Sequence, residues 1–182
     1  MKNESIKMTG SLPPQINKAA AIIDHLNLSR HPEGGWYREV YRSDEILPAG
    51  SLPERYNEPH NINTSIYFLL ESNDFSAFHR IKSDETWHFY LGSPVTIYIL
   101  SPDGKYKEVI LSNNLIDNQE LQYTILRDSW FAAKVHIADS FALVGCTVSP
   151  GFEFSDFELA ERQQLICLFP KYQELISSLT RK

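Results

Sequence analysis

At 182 residues the chain has the length of one domain and can bury a substantial core. Hydrophobic residues make up 42% and charged residues 22%, which excludes a disordered chain or a coiled coil, and 12% aromatics favour strands over a helical bundle. The net charge of −6 argues against a nucleic-acid partner, and no stretch approaches the ~18 apolar residues of a membrane span.

In chain order, residues 1–14 read as a flexible N-terminal tail closed by Pro13-Pro14, without the apolar core of a signal peptide. A cytoplasmic location and a single domain over 15–182 are expected. Ile16, Ala19, Ala20, Ile23 and Leu26 recur at helical spacing, which predicts a helix over 15–28 capped near Ser11. His31-Pro32-Glu33-Gly34-Gly35 breaks it. Residues 36–42 read as a strand. Residues 43–61 form a long loop with three prolines, of the kind that is functional or mobile.

Strand signals then follow at 62–70, 75–81, 86–91, 95–100, 105–111, 121–126, 130–136 and 141–149, most of them separated by turn residues. This spacing predicts an all-β sandwich, barrel or jelly roll, since a parallel α/β sheet needs helical patterns between strands. Residues 160–169 and 170–179 read as two short helices covering one end or edge of the barrel. Cys146 and Cys167 lie in apolar runs and read as buried thiols.

The densest chemistry lies in residues 78–92. A hairpin turning at Lys82–Asp84 sets His79 and Glu85 near each other on facing strands. Imidazole and carboxylate together bind a divalent metal or form a general-base pair, which makes both residues candidate metal ligands and candidate catalytic groups. Alternation places Glu85, Trp87 and Phe89 on one face and Thr86, His88 and Tyr90 on the other. His88 is therefore a second-rank ligand, reaching Glu85 only through a bulge. Trp87 and Phe89 would line the barrel, and Arg38 and Tyr41 would close its mouth around a small-molecule ligand. Glu153, Asp156 and Glu158 read as a solvated edge, and His25 and His136 as structural.

The string His79-x5-Glu85-x6-Gly92 resembles the first cupin motif. HPEGGWYREVYRS (31–43), TSIYFLL (64–70), HRIKSDETWHFYLG (79–92) and LVGCTVSPGFEFSDFEL (143–159) together resemble the cupin-5 family (domain of unknown function 985) of the RmlC-like cupin superfamily. The resemblance implies a jelly-roll barrel of the double-stranded β-helix type, generally a homodimer, akin to sugar-nucleotide epimerases and seed storage proteins. Two departures stand out. Ile81 takes the place of the motif's second His, and the stretch at 126–133 has no His, with Trp130 and Phe131 in that region. Only His79 and Glu85 carry over as ligands of a divalent metal, and Trp130 joins the ligand-binding candidates.

The functional expectation is an isomerase or epimerase acting on a carbohydrate or sugar-nucleotide-like ligand. His79 would be the base, Glu85 its partner, and Arg38 the holder of an anionic group. The alternatives are a non-catalytic ligand-binding cupin and a metal-dependent, dioxygenase-like enzyme. With His79 in a partly hydrated cavity, His79→Ala should leave the melting temperature nearly unchanged.

Overall fold

A computed structural model describes residues 15–181. Helix α1 (Gln15–His25) leads in, and Asn27, at φ 51°, turns the chain out of it. Its expected cap and the preceding tail lie outside the described residues. The strands are β1 (Ser29–Arg30), β2 (Trp36–Arg42), β3 (Ile46–Leu47), β4 (His60–Asn61), β5 (Thr64–Glu71), β6 (Ser76–Arg80), β7 (Asp84–Gly92), β8 (Val95–Leu100), β9 (Tyr106–Leu111), β10 (Gln122–Ile125), β11 (Trp130–Val135), β12 (Phe141–Ser149) and β13 (Glu158–Leu159). Helices α2 (Arg162–Leu168) and α3 (Gln173–Ser178) follow.

Two antiparallel sheets form the jelly roll. One runs β1-β2-β5-β12-β7-β10 and the other β13-β6-β11-β8-β9. Their inner faces share one core that includes Phe68, Trp87, Phe89, Ile97, Phe131 and Val144. Strand alternation decides which side chains enter it: Glu85, Trp87 and Phe89 point in from β7, while Tyr90 is exposed.

The central strands of the five-stranded sheet, β6, β8 and β11, are buried on both faces. The sheet's outer face carries Phe78, Tyr98, Leu100 and Trp130, covered by Leu165, Ile176 and Leu179 of the C-terminal segment. That is why every residue of β8 is buried, where a one-sided strand would alternate. The C-terminal helices thus cover a sheet face rather than the expected barrel end. On the other sheet α1 covers only a patch, with Ala19 and Leu28 against Leu69, Phe141 and Leu143.

The long loop over 43–61 is pinned at both ends, because β3 pairs with β4 (Ile46 with Asn61, Leu47 with His60). Tyr56 is buried within it and bonds the Ser83 hydroxyl at 2.9 Å. Of the two thiols, Cys146 is buried as expected and Cys167 is exposed on α2. Asp156 is also buried rather than solvated.

Candidate functional site

A cavity of about 260 Å³ opens between the two sheets. Four of its polar side chains come from three places. His31 and Glu33 lie on the turn before β2, His79 on β6 of one sheet, and Glu85 on β7 of the other.

The turn holds its shape through Gly34 and Gly35, at φ 114° and 72°. A Cβ on Gly34 would stand 2.0 Å from Arg181 Nη2 and 2.2 Å from the Phe75 carbonyl oxygen. Arg181 Nη2 also lies 3.0 Å from the Glu33 carbonyl oxygen and 2.8 Å from Asp74 Oδ1. The backbone carrying Glu33 is therefore clamped from outside the barrel.

Inside it, Glu33 is surrounded. Ser76 donates its hydroxyl to Glu33 Oε1 at 2.8 Å, and Oε2 lies 3.3 Å from His79 Nε2 and 3.2 Å from His31 Nδ1. Simple alternation would not put Ser76 and His79, three residues apart, on one face. The β6–β11 register slips, with Phe131 opposite His79 and Ala133 opposite Ser76, and the bulge turns both toward Glu33.

His79 Nδ1 lies 2.8 Å from the Ala77 carbonyl, which only accepts, so Nδ1 carries a proton. Nε2 then faces a carboxylate, and the contact is attractive only if one more proton lies between His79 and Glu33. Burial pushes the His79 pKa down, against the opposing pull of Glu33 and net below the ordinary value. Burial also acts to raise Glu33. The charge of His79, the bonds and charge of His31 and the Ser76 hydroxyl outweigh that and hold it below the usual carboxylate range.

Glu85 behaves oppositely. Burial, reinforced by the charge of Glu33, pushes it up to about 8. Trp87 Nε1 donates to Glu85 Oε1 at 3.0 Å, and the Cys146 thiol is its other hydrogen-bond partner. At neutral pH Glu85 is therefore a neutral acid. The same burial, reinforced by Glu85 and Glu33, pushes the Cys146 thiol well up, which disfavours the thiolate a nucleophile needs.

The mouth is built from β2 and the segment after β12. Alternation sets Tyr37 and Glu39 on the inner face of β2, and a bulge between Glu39 and Tyr41 brings Arg42 onto the same face. Arg42 bonds Glu39, Asn61, Glu153 and the Phe152 carbonyl. Phe152, Phe154 and Phe157 form an aromatic rim, with Phe154 stacked on His31 at 5.9 Å. The rim is anchored below by Asp156, whose Oδ2 lies 2.6 Å from His60 Nε2 and whose Oδ1 lies 2.8 Å from Lys82 Nζ.

With this geometry in view, the comparisons with known proteins are specific. The family model Cupin_5, described as cupin superfamily (DUF985), matches residues 20–160. The chain belongs to that family. A protein of known structure from Shewanella oneidensis is similar to this Cupin_5 chain at 35% identity and TM-score 0.81, over 90% of this chain and 97% of that one. A hypothetical protein from Leishmania major is similar at 31% identity and TM-score 0.82, over 90% and 99%. No functionally curated protein matches.

Of the residues singled out from sequence, His79, Glu85 and Trp87 line the cavity of this Cupin_5 protein. The carboxylate touching His79 is Glu33, however, in a segment read only as a helix breaker. The one available signal was its place in the HPEGG block that carries the family resemblance. Arg38 and Tyr41 lie on the opposite face of β2. Arg38 sits 5.8 Å over the Tyr67 ring, Tyr41 is 54% exposed, and Tyr37, Glu39 and Arg42 line the cavity instead. Phe89 is core rather than cavity wall, and Trp130 is buried on the outer face of its sheet under the Arg80 guanidinium. His88 also faces away, toward Gln122 and Thr147.

A resident metal does not fit these side chains. A first-row metal takes three or four protein ligands. Among the described residues no group of three or more His, Cys, Asp and Glu is placed to hold one. Both nitrogens of His79 are engaged by Ala77 and Glu33. No helix among the described residues is long and apolar enough to cross a membrane.

Proposed function

We propose that this cupin is a proton-transfer enzyme, an isomerase or epimerase acting on a carbohydrate-like small molecule inside the barrel. One observation carries the reading: a single cavity holds the Glu33 carboxylate against the His79 imidazole and, from the sheet facing His79, a neutral carboxylic acid, Glu85. Titratable groups driven apart by their surroundings mark the base and the acid of a proton-transfer site. With no proton bridging them, Glu33 and His79 Nε2 accept one from a carbon next to a carbonyl, which makes their contact attractive, and Glu85 donates one to the oxygen or the opposite face of the enolate.

The test is incubation with aldoses and ketoses in D2O, followed by proton NMR. Deuterium should enter at the carbon next to the carbonyl, together with the epimer or isomer, and Glu85→Gln and His79→Gln should each remove the exchange. Saturable binding without exchange in the wild type would favour the non-catalytic binding reading.

The same proposal takes the protein as a homodimer. The outer face of the six-stranded sheet exposes Val40, Tyr41, Tyr90 and Leu91, a surface that a second copy would cover. Sedimentation should return twice the chain mass at micromolar concentration. A monomer removes this part alone.

A further inference from the structure

The cavity has one Lys or Arg side chain in its lining, Arg42, and that side chain is fully committed. Its Nε lies 3.1 Å from Glu39 Oε1. Nη1 donates to Asn61 Oδ1 at 2.8 Å and to Glu153 Oε1 at 2.6 Å, and Nη2 to Glu39 Oε2 at 2.9 Å and to the Phe152 carbonyl at 3.0 Å. A guanidinium has five N–H groups, and all five have protein acceptors. No donor is left to fork onto a phosphate or carboxylate.

Around it the lining is rich in carboxyls: Glu33, Glu39, Glu85 and Glu153. An anionic group entering this space passes Glu39 and Glu153 at the partly exposed mouth, which together outweigh the single charge of Arg42, and meets the buried Glu33 carboxylate inside, where repulsion is less screened. Hydroxyl groups, by contrast, find acceptors in the carboxylates and a donor in the neutral Glu85. The aromatic walls, Tyr37 and the phenylalanine rim, offer flat apolar faces to the C–H side of a ring. At about 260 Å³ the space sits just under the ~300–1,000 Å³ of drug-sized sites. That space matches one sugar ring more closely than a whole nucleotide.

Building on the proton-transfer reading of this cavity, we infer that its ligand is an uncharged polyhydroxy compound of monosaccharide size, and that phosphorylated and nucleotide-linked sugars are excluded. The paired Glu39–Arg42–Glu153 group is the excluding element, because it neutralises the one cation that would otherwise attract them.

The test is a set of titrations on the full chain, read by calorimetry and by the fluorescence of Trp87 at the cavity wall. The probes are glucose, mannose, galactose, fructose and rhamnose, the 6-phosphates of glucose and fructose, UDP-glucose, and choline as a cationic control. At least one neutral sugar should saturate, with its phosphorylated form weaker by about tenfold or more, a difference of ~1.4 kcal/mol. Glu153→Gln, which loosens the hold on Arg42, should narrow that gap. The inference is overturned if a phosphorylated or nucleotide-linked sugar binds as well as the neutral one, if choline binds best, or if no neutral sugar saturates below roughly 50 mM. Neutral-sugar binding without deuterium exchange would sink the isomerase reading and leave this one standing. Exchange confined to a phosphorylated sugar would do the reverse.

Discussion

Glu33 and His79 lie 3.3 Å apart, carboxylate oxygen to Nε2, although 46 positions separate them in the chain and each is pinned by its own backbone neighbourhood. The pinning matters chemically. With Nδ1 fixed on the Ala77 carbonyl, the ring can exchange protons only through Nε2, the nitrogen that touches Glu33. Glu33 therefore touches the one His79 nitrogen that is free to exchange a proton.

Glu33→Gln should move the His79 titration further down, because the carboxylate is what opposes the burial that lowers it. Nitrogen-detected NMR of the imidazole checks this. A titration that stays put or moves up would show that the two side chains are not coupled.

Glu85 makes stability depend on pH in a defined window. Unfolded, its carboxyl ionises near 4.5; folded, near 8. Between those values the folded state holds a proton that the unfolded state has lost, so stability is full below about 4.5 and declines as pH rises toward about 8. At ~1.4 kcal/mol per pH unit the upper limit of this loss is ~5 kcal/mol. Denaturant melts from pH 5 to 8 should show the decline in the wild type and a much flatter profile in Glu85→Gln. Catalysis that needs the neutral acid should fall above about pH 8.

His79→Ala should destabilise the protein strongly, contrary to what a hydrated cavity would allow. The ring is 2% exposed, packs 4.0 Å from Phe131 and is the partner of a buried carboxylate. Removing one member of a buried pair costs ~3–5 kcal/mol. His79→Gln, which can still donate to Glu33, should lose less stability while losing proton transfer. Equal melting temperatures for wild type and His79→Ala would contradict the packing.

The aromatic rim should depend on a residue outside the cavity. His60 is buried, holds Asp156 from below and is not part of the cavity lining. His60→Ala should raise hydrogen exchange over residues 152–157 and weaken ligand binding. Unchanged exchange there would leave Lys82 as the sufficient anchor.

Most of the architecture was legible because strand alternation is a local signal. Strands β2, β8 and β12 begin and end where the apolar patterns do, and the inward set Glu85, Trp87 and Phe89 follows from period two alone. The site was less legible because it depends on bulges, which no pattern of residue types announces. One extra residue after Glu39 in β2 brings Arg42 inward beside Tyr37 and Glu39 and turns Tyr41 outside, while plain alternation already puts Arg38 outside, so the sequence reading had the right strand and the wrong face. Another bulge, in β6, unites Ser76 with His79. The partnership with Glu33 is a long-range contact, invisible to any window of sequence. The inertness of Cys146 was readable from its apolar run, but its bond to Glu85 was not.

The clamp of Arg181 on the Glu33 turn also sets an order of events during synthesis. Residue 33 leaves the ribosome 148 positions before residue 181, which at ~5–20 residues per second is a wait of about 7–30 s. Throughout that interval the turn lacks the guanidinium that bridges Glu33, Asp74 and Phe75. The turn that carries Glu33 therefore receives its last fastening only when the far end of the chain arrives.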